Sequence, residues 1–213
     1  MRGGLKLGFL ASHGGSSMRA ILDAIAEGRL RASACVAISN NADAPALAHA
    51  RALGVPTCHL SETRCGGAEA VDRAIAETLA GHGVALVVLS GYLRKLGPLT
   101  LARFRGRILN IHPGPLPRYG GRGMYGRHVH AAVLAAGERM SGITIHLVDE
   151  EYDHGPVLAA RGVPVEPGDT PETLAARVQA QEPAFFVDTL CRIADGTLAL
   201  PGPGVVAPSG ESA

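Results

Sequence analysis

Apolar and polar positions along the chain alternate between two rhythms. Four runs, "LKLGFLA" at 5–11, "ACVAIS" at 34–39, "ALVVLS" at 85–90 and "RILNIH" at 107–112, carry apolar side chains at successive positions. That is how strands covered on both faces read. "VPTCHL" at 55–60 predicts a shorter strand. Helix-period segments lie between them, at 17–27, 45–53, 68–83, 99–104 and 128–136. In the third of these Val71, Ile75 and Leu79 recur every fourth residue, and Gly81 is read as lying just past the helix end. This strand–helix–strand order predicts an α/β fold with one doubly wound, mostly parallel sheet. Beyond 136 the rhythm changes. "GITIHLV" and "GPVLAARGVPV" read as consecutive strands, hence an antiparallel C-terminal extension. A long helix is expected from "GDTPE", with Asp169 or Thr170 as cap and Pro171 in its first turn, kinked by Pro183 and ending near Gly196. The chain is therefore read as one domain over 1–196 and a disordered tail over 197–213, where periodicity stops.

Composition narrows the function. Of 213 residues 46% are apolar and only 4% aromatic, with no Trp, so a stacking platform for single-stranded nucleic acid is not expected. With 20 basic and 19 acidic residues the net charge is +1, which predicts no general attraction to nucleic acid or to an anionic membrane. No apolar run has the length of a membrane span and no secretory signal pattern opens the chain. Cys35, Cys58, Cys65 and Cys191 show neither CxxC spacing nor histidines at zinc spacing. They are read as reduced thiols of a cytoplasmic protein that holds no metal.

Chemistry is expected at the carboxyl ends of the strands, where such sheets bind ligands. In "HGGSSM" a glycine loop, Gly14 and Gly15, leads through Ser16 and Ser17 into the first helix and turns its free N–H groups toward any anion. A plain tight turn is the alternative. The spacing is neither a dinucleotide fingerprint nor a P-loop, and the "SNNAD" after the second strand offers no clear ribose-binding acid. "ILNIHPGPLPRYGG" puts two polar side chains into an apolar strand. Strand parity points Asn110 and His112 to one face, roughly 7 Å apart, just before Pro113 ends the ladder. An amide beside an imidazole can stabilise an oxyanion and move a proton, as acyl transfer requires; the alternative is a strand end that satisfies loop backbone. In "DEEYDHGPV", Asp153 stands apart from the other acids because His154, Gly155 and Pro156 hold it immediately before a strand. The chain offers no clear serine or cysteine nucleophile, so direct transfer without a covalent intermediate is expected.

"ILNIHPGPLPRYGG" followed by "GITIHLVDEEYDHGPV" resembles the folate-dependent formyltransferase superfamily over about residues 5–195. Within it the chain is most similar to the members that formylate the amine of phosphoribosylglycinamide in purine biosynthesis. The resemblance implies a seven-stranded sheet and a single catalytic domain with neither a regulatory domain before it nor a barrel after it. It implies 10-formyltetrahydrofolate as co-substrate and direct attack through a tetrahedral intermediate. Asn110, His112 and Asp153 would be catalytic, with Asn110 and a protonated His112 on the oxyanion. Tyr92, Leu93, Arg94 and Leu96, with Val148, Asp149, Glu150 and Glu151, would bind folate. Gly14, Gly15, Ser16, Ser17, Gln179 and Glu182 would bind the acceptor. Ser17 stands where better-known members carry Asn, and Ala68 where they carry a phosphate-binding Arg; Arg64, Arg19 or Arg122 would have to replace that cation. The alternatives are an N-formyltransferase for another small amine and a catalytically silent folate- or nucleotide-binding module. A monomer or homodimer acting on small molecules is expected.

Overall fold

The computed structural model describes residues 4–201. The first half of the chain runs β1 (Leu5–Leu10), α1 (Ser16–Ala26), β2 (Ala32–Ser39), α2 (Pro45–Ala52), β3 (Thr57–His59), α3 (Glu62–Cys65) and α4 (Ala68–Gly81). It continues with β4 (Leu86–Leu89), α5 (Pro98–Arg103), β5 (Ile108–His112) and α6 (Arg127–Ala135). The remainder is β6 (Met140–Leu147), β7 (Val157–Pro164), α7 (Pro171–Gln179) and α8 (Glu182–Asp195). The seven strands form one sheet in the order β3-β2-β1-β4-β5-β6-β7. Pairs from β3 to β5 are parallel, and β6 and β7 are added antiparallel, as the change of rhythm predicts.

Alternate residues of the central strands feed two separate cores. Leu86 and Val88 of β4 face one, which includes Phe9, Met18, Ile21, Leu109, Ile145 and Phe186. Val87 and Leu89 face the other, with Ile38, Ile75, Leu79, Leu101, Phe104 and Ile108. Each such side chain withdrawn from water contributes about 1.5–3 kcal/mol, so both faces must stay covered. The order of strands places a topological switch between β1 and β4. The chain leaves β1 toward β2 on one side and returns to β4 on the other, so the loops after β1 and β4 part and leave a crevice at their carboxyl ends.

Two expectations change at the level of elements, and one short helix has no counterpart among them. The kinked helix is two helices: α7 ends at Gln179, and Pro183 sits in the first turn of α8, where its missing N–H costs nothing. Gly81 is the last residue of α4 rather than lying beyond it, and His82 is the C-cap. The short α3 has no apolar period; Ser61 nucleates it by accepting from the Arg64 N–H. Thr170 caps α7 in a reciprocal capping box with Thr173, while Asp169 pairs with Arg177 at 2.6 Å. After α8, the Leu198 N–H donates to the Arg192 carbonyl, and Arg107 Nη1 donates to the Pro201 carbonyl at 2.8 Å. Residues 202–213 of the expected disordered tail lie outside the described residues.

Candidate active site

Ile108, Asn110 and His112 share one face of β5, and that face turns from apolar to polar at its carboxyl end. The antiparallel register sets His146 of β6 opposite Asn110 and Thr144 opposite His112. Asn110 Nδ2 lies 3.1 Å from His146 Nε2. His146 Nδ1 lies 2.9 Å from the Leu147 carbonyl, which can only accept, so in the neutral ring Nδ1 carries the hydrogen and Nε2 accepts from Asn110. The amide is thereby oriented, with its second Nδ2 hydrogen free for a ligand. Thr144 Oγ1 donates to the Gly114 carbonyl at 2.7 Å and accepts from the Leu116 N–H at 3.3 Å, which holds the proline-rich turn against β6. That turn brings the Tyr119 carbonyl to 2.7 Å from His112 Nε2, fixing a donor role for that nitrogen. His112 Nδ1 is left facing Asp153.

Asp153 arrives from the β6–β7 turn, where Gly155 passes so near the Leu147 carbonyl that a Cβ would lie 2.0 Å from its oxygen. The backbone of Asp153 has φ 56, a left-handed conformation that costs an L-residue energy and that Asp tolerates better than most. Asp153 Oδ2 lies 3.4 Å from His112 Nδ1 and Oδ1 lies 3.5 Å from His146 Nε2. Oδ2 also accepts the Gly121 N–H at 3.1 Å. Burial favours the protonated acid, but the adjacent His146 and His112 rings and the Gly121 N–H outweigh it, and the Asp153 carboxyl is held below its ordinary value. For His112, only 3% exposed, burial dominates and lowers its pKa, although Asp153 and the Tyr119 carbonyl oppose the shift. At neutral pH the ligand-free site thus pairs a carboxylate with a neutral imidazole.

Around this cluster the other expected residues fall into place unevenly. Gly15 is the N-cap of α1 with φ 55, and without a side chain it leaves the amides of Ser16 and Ser17 free to face an anion. Loop 91–97 follows β4 across the switch. In it Leu96 is buried beside Leu89 and Ile108, Val148 packs on the same core, and Leu93 is 65% exposed at the rim. Burial, only partly countered by Arg94, pushes the Tyr92 hydroxyl up to about 12, so it remains a donor. Asp149 accepts from the Glu151 N–H at 2.9 Å and pairs with His154 at 3.0 Å, so this acid folds its own turn. Glu150 reaches Arg105 at 3.5 Å and Glu151 is exposed. Gln179 and Glu182 stand on different helices on either side of the break, Gln179 exposed and Glu182 half-buried. Burial alone pushes the Glu182 carboxyl up to about 7.

A cavity of about 1290 Å³ runs from Asn40 and Asn41 past Ala68 and Asp72 to Arg103, along the other side of loop 91–97. It is lined by Ala68, Arg73, Arg94 and Lys95 but not by Arg64, Arg19 or Arg122, all three of which are exposed. Arg73 is already paired with Glu69 at 2.9 Å. Among the described residues, no group of three or more His, Cys, Asp or Glu is arranged to hold a metal ion. His146 and Thr144 are the site residues that sequence reasoning missed. "GITIHLV" carried the same signal as "ILNIH", a polar side chain at alternate positions of an apolar strand, but their partnership with Asn110 and His112 depends on register.

An α/β sheet that ends in an oriented amide, an imidazole and an ionised carboxylate, beside a helix N-terminus at a topological switch, defines an enzyme of the group-transfer class. The formyl transferase family model matches residues 5–190, and the chain belongs to that family. Phosphoribosylglycinamide formyltransferase of Escherichia coli is 36% identical over 189 residues, covering 89% of this chain and 87% of that one. The chloroplastic phosphoribosylglycinamide formyltransferase of Arabidopsis thaliana is 39% identical over 89% of this chain, and that of Vigna unguiculata 41% over 87%. The chain spans 65% and 59% of the lengths of these two plant relatives. The crystal structure of glycinamide ribonucleotide transformylase 1 from Symbiobacterium toebii superposes with a TM-score of 0.85 at 36% identity, covering 95% of this chain and 93% of that one.

Proposed function

We propose that this chain transfers the formyl group of 10-formyltetrahydrofolate to the amine of phosphoribosylglycinamide, a step of purine biosynthesis. The observation that carries the reading is the convergence of Asn110, His112 and Asp153 at the carboxyl end of β5, next to β4 and the loop 91–97 that follows it. The names of the E. coli and plant relatives support the acceptor. Val148, partly buried over the core residues Leu89, Leu96 and Ile108, offers apolar contact to a flat pterin ring, with loop backbone beside it.

The neutral acceptor amine attacks the formyl carbon, and the bond from that carbon to the donor nitrogen breaks. The free Nδ2 hydrogen of Asn110 stabilises the developing oxyanion. Asp153 orders water and takes the amine proton, directly or through His112 Nδ1; the donor nitrogen receives a proton as it leaves. The family resemblance implies a protonated His112. Burial makes the neutral ring the resting form, so His112 becomes imidazolium during transfer, with the Asp153 carboxylate 3.4 Å away to stabilise it. The phosphate would lie over Gly14, Gly15, Ser16 and Ser17. A helix end alone gives an exposed anion only about 0.3–1 kcal/mol, so a cation must reach it.

Turnover with phosphoribosylglycinamide, free glycinamide and a panel of small amines, followed by the absorbance of deformylated folate, tests the reading. The ribonucleotide should be strongly preferred. A chain that turned it over no better than free glycinamide would act on another amine, and one inactive on every amine would be a binding module. Asp153→Asn should cost most of the rate at every pH. Full activity across pH would remove Asp153 as proton acceptor and point to Glu150 or Glu151.

A further inference from the structure

The "SNNAD" motif and two buried serines join the halves of this site. Ser12 lies two residues after β1, just before the glycine loop, is 1% exposed, and has all its polar groups engaged outside its own segment. Its N–H donates to the Gly91 carbonyl at 3.1 Å, and its carbonyl accepts from Asn41 Nδ2 at 2.5 Å. Its hydroxyl donates to Asn40 Oδ1 at 2.6 Å and accepts the Leu93 N–H at 2.8 Å. Ser90 is the mirror of this arrangement. It directly follows β4, just before loop 91–97, is 3% exposed, and its hydroxyl accepts the Met18 N–H of α1 at 3.0 Å. The first turn of α1 needs such an acceptor because its N-cap, Gly15, has no side chain to offer. Each loop is therefore anchored by a serine that belongs to the other.

We propose that Ser12 and Ser90 form a reciprocal clasp that makes segment 13–18, the glycine turn with the first turn of α1, and loop 91–97 a single unit, so that filling the acceptor half-site tightens the donor half-site and the reverse. The assignment of those half-sites rests on the proposed function; the clasp itself does not. Neither serine touches the reacting atoms, so both are positioning residues. A neutral bond that merely braced its own loop would weaken one ligand alone. A clasp must change the factor by which each ligand affects the other, and that factor is the same in both directions.

Hydrogen exchange on the ligand-free chain gives the first test. Ser12→Ala removes the acceptor of the Leu93 amide, and Ser90→Ala that of Met18. A clasp requires the far amide to respond as well, with faster exchange at Met18 in Ser12→Ala and at Leu93 in Ser90→Ala. Changes confined to the directly unbonded amide in both variants would overturn the proposal. Titration of a 10-formyl folate analogue with and without saturating phosphoribosylglycinamide gives the second. Wild type should show tightening of roughly fivefold or more, and each alanine variant a factor near one. The double variant should lose no more than either single, because both break the same link. A factor of one in wild type with both ligands bound, or an unchanged factor in the variants, would also overturn it. If the ribonucleotide does not bind wild type at all, the proposed acceptor fails, and the ligand-free exchange still decides the clasp.

Discussion

Glu182→Gln should make the ligand-free protein more stable at alkaline pH while weakening the acceptor site. Glu182 is the first residue of α8, where the helix dipole favours a carboxylate, yet burial outweighs that term and pushes the carboxyl from 4.5 up to about 7. Below pH 4.5 the folded and unfolded chains both hold the proton and the group makes no difference. Between 4.5 and 7 the unfolded chain has released its proton while the folded chain has not, so stability falls as pH rises. Above 7 the loss is complete, about 3 kcal/mol for the ionised buried group, or about 2 kcal/mol when its residual contact with water is allowed for. Gln keeps the shape and has no proton to lose. Urea unfolding of wild type and Glu182→Gln between pH 4.5 and 8.5 should therefore show the variant gaining on wild type through that window and levelling off above it. A difference that stays flat with pH would refute the buried ionisation. The same substitution should raise the Michaelis constant for the ribonucleotide and leave that for folate unchanged, because an amine donor is the natural partner for the carboxylate.

Asn110→Ala, which removes the donor aimed at the oxyanion, should lower kcat by about 10²–10³ and leave the thermal shift induced by a folate analogue intact. His146→Phe should lower kcat by roughly tenfold without changing either Michaelis constant, since it frees the Asn110 amide to rotate and touches neither ligand. Gly97→Ala places a Cβ 2.3 Å from the Asp72 carboxyl carbon, so α5 or α4 must shift. Urea unfolding should show a loss of about 1–3 kcal/mol, and the Michaelis constant for folate should rise with it.

Much of the fold and the juxtaposition of Asn110 with His112 could be read in the sequence because their causes are local. Two-residue parity in "ILNIH" is enough to put Asn110 and His112 on one face, and the sheet needs only place that face at its carboxyl edge. The antiparallel pairing of β6 with β7 shows in the absence of a helix between two strand-like runs, whereas the reversal of β6 against β5, across α6, left no such mark. Pro183 is ambiguous in the sequence because a proline that kinks one helix and a proline that opens the next leave the same mark, and only Gln181 as N-cap distinguishes them. The unread partnerships share a different property. Asn110 and His146 are 36 residues apart, Met18 and Ser90 are 72, and Ser12 and Leu93 are 81. Each forms only once strand register and the switch between β1 and β4 have brought distant segments together. The groups proposed to react are unusual for their setting, an amide and an imidazole in an apolar strand, and so they stand out. The groups that aim them are a histidine in a later strand and serines at strand ends, where a polar side chain is ordinary. A hydroxyl at a strand end becomes informative only when its partner is known, and here both partners lie across the crevice in which transfer would take place.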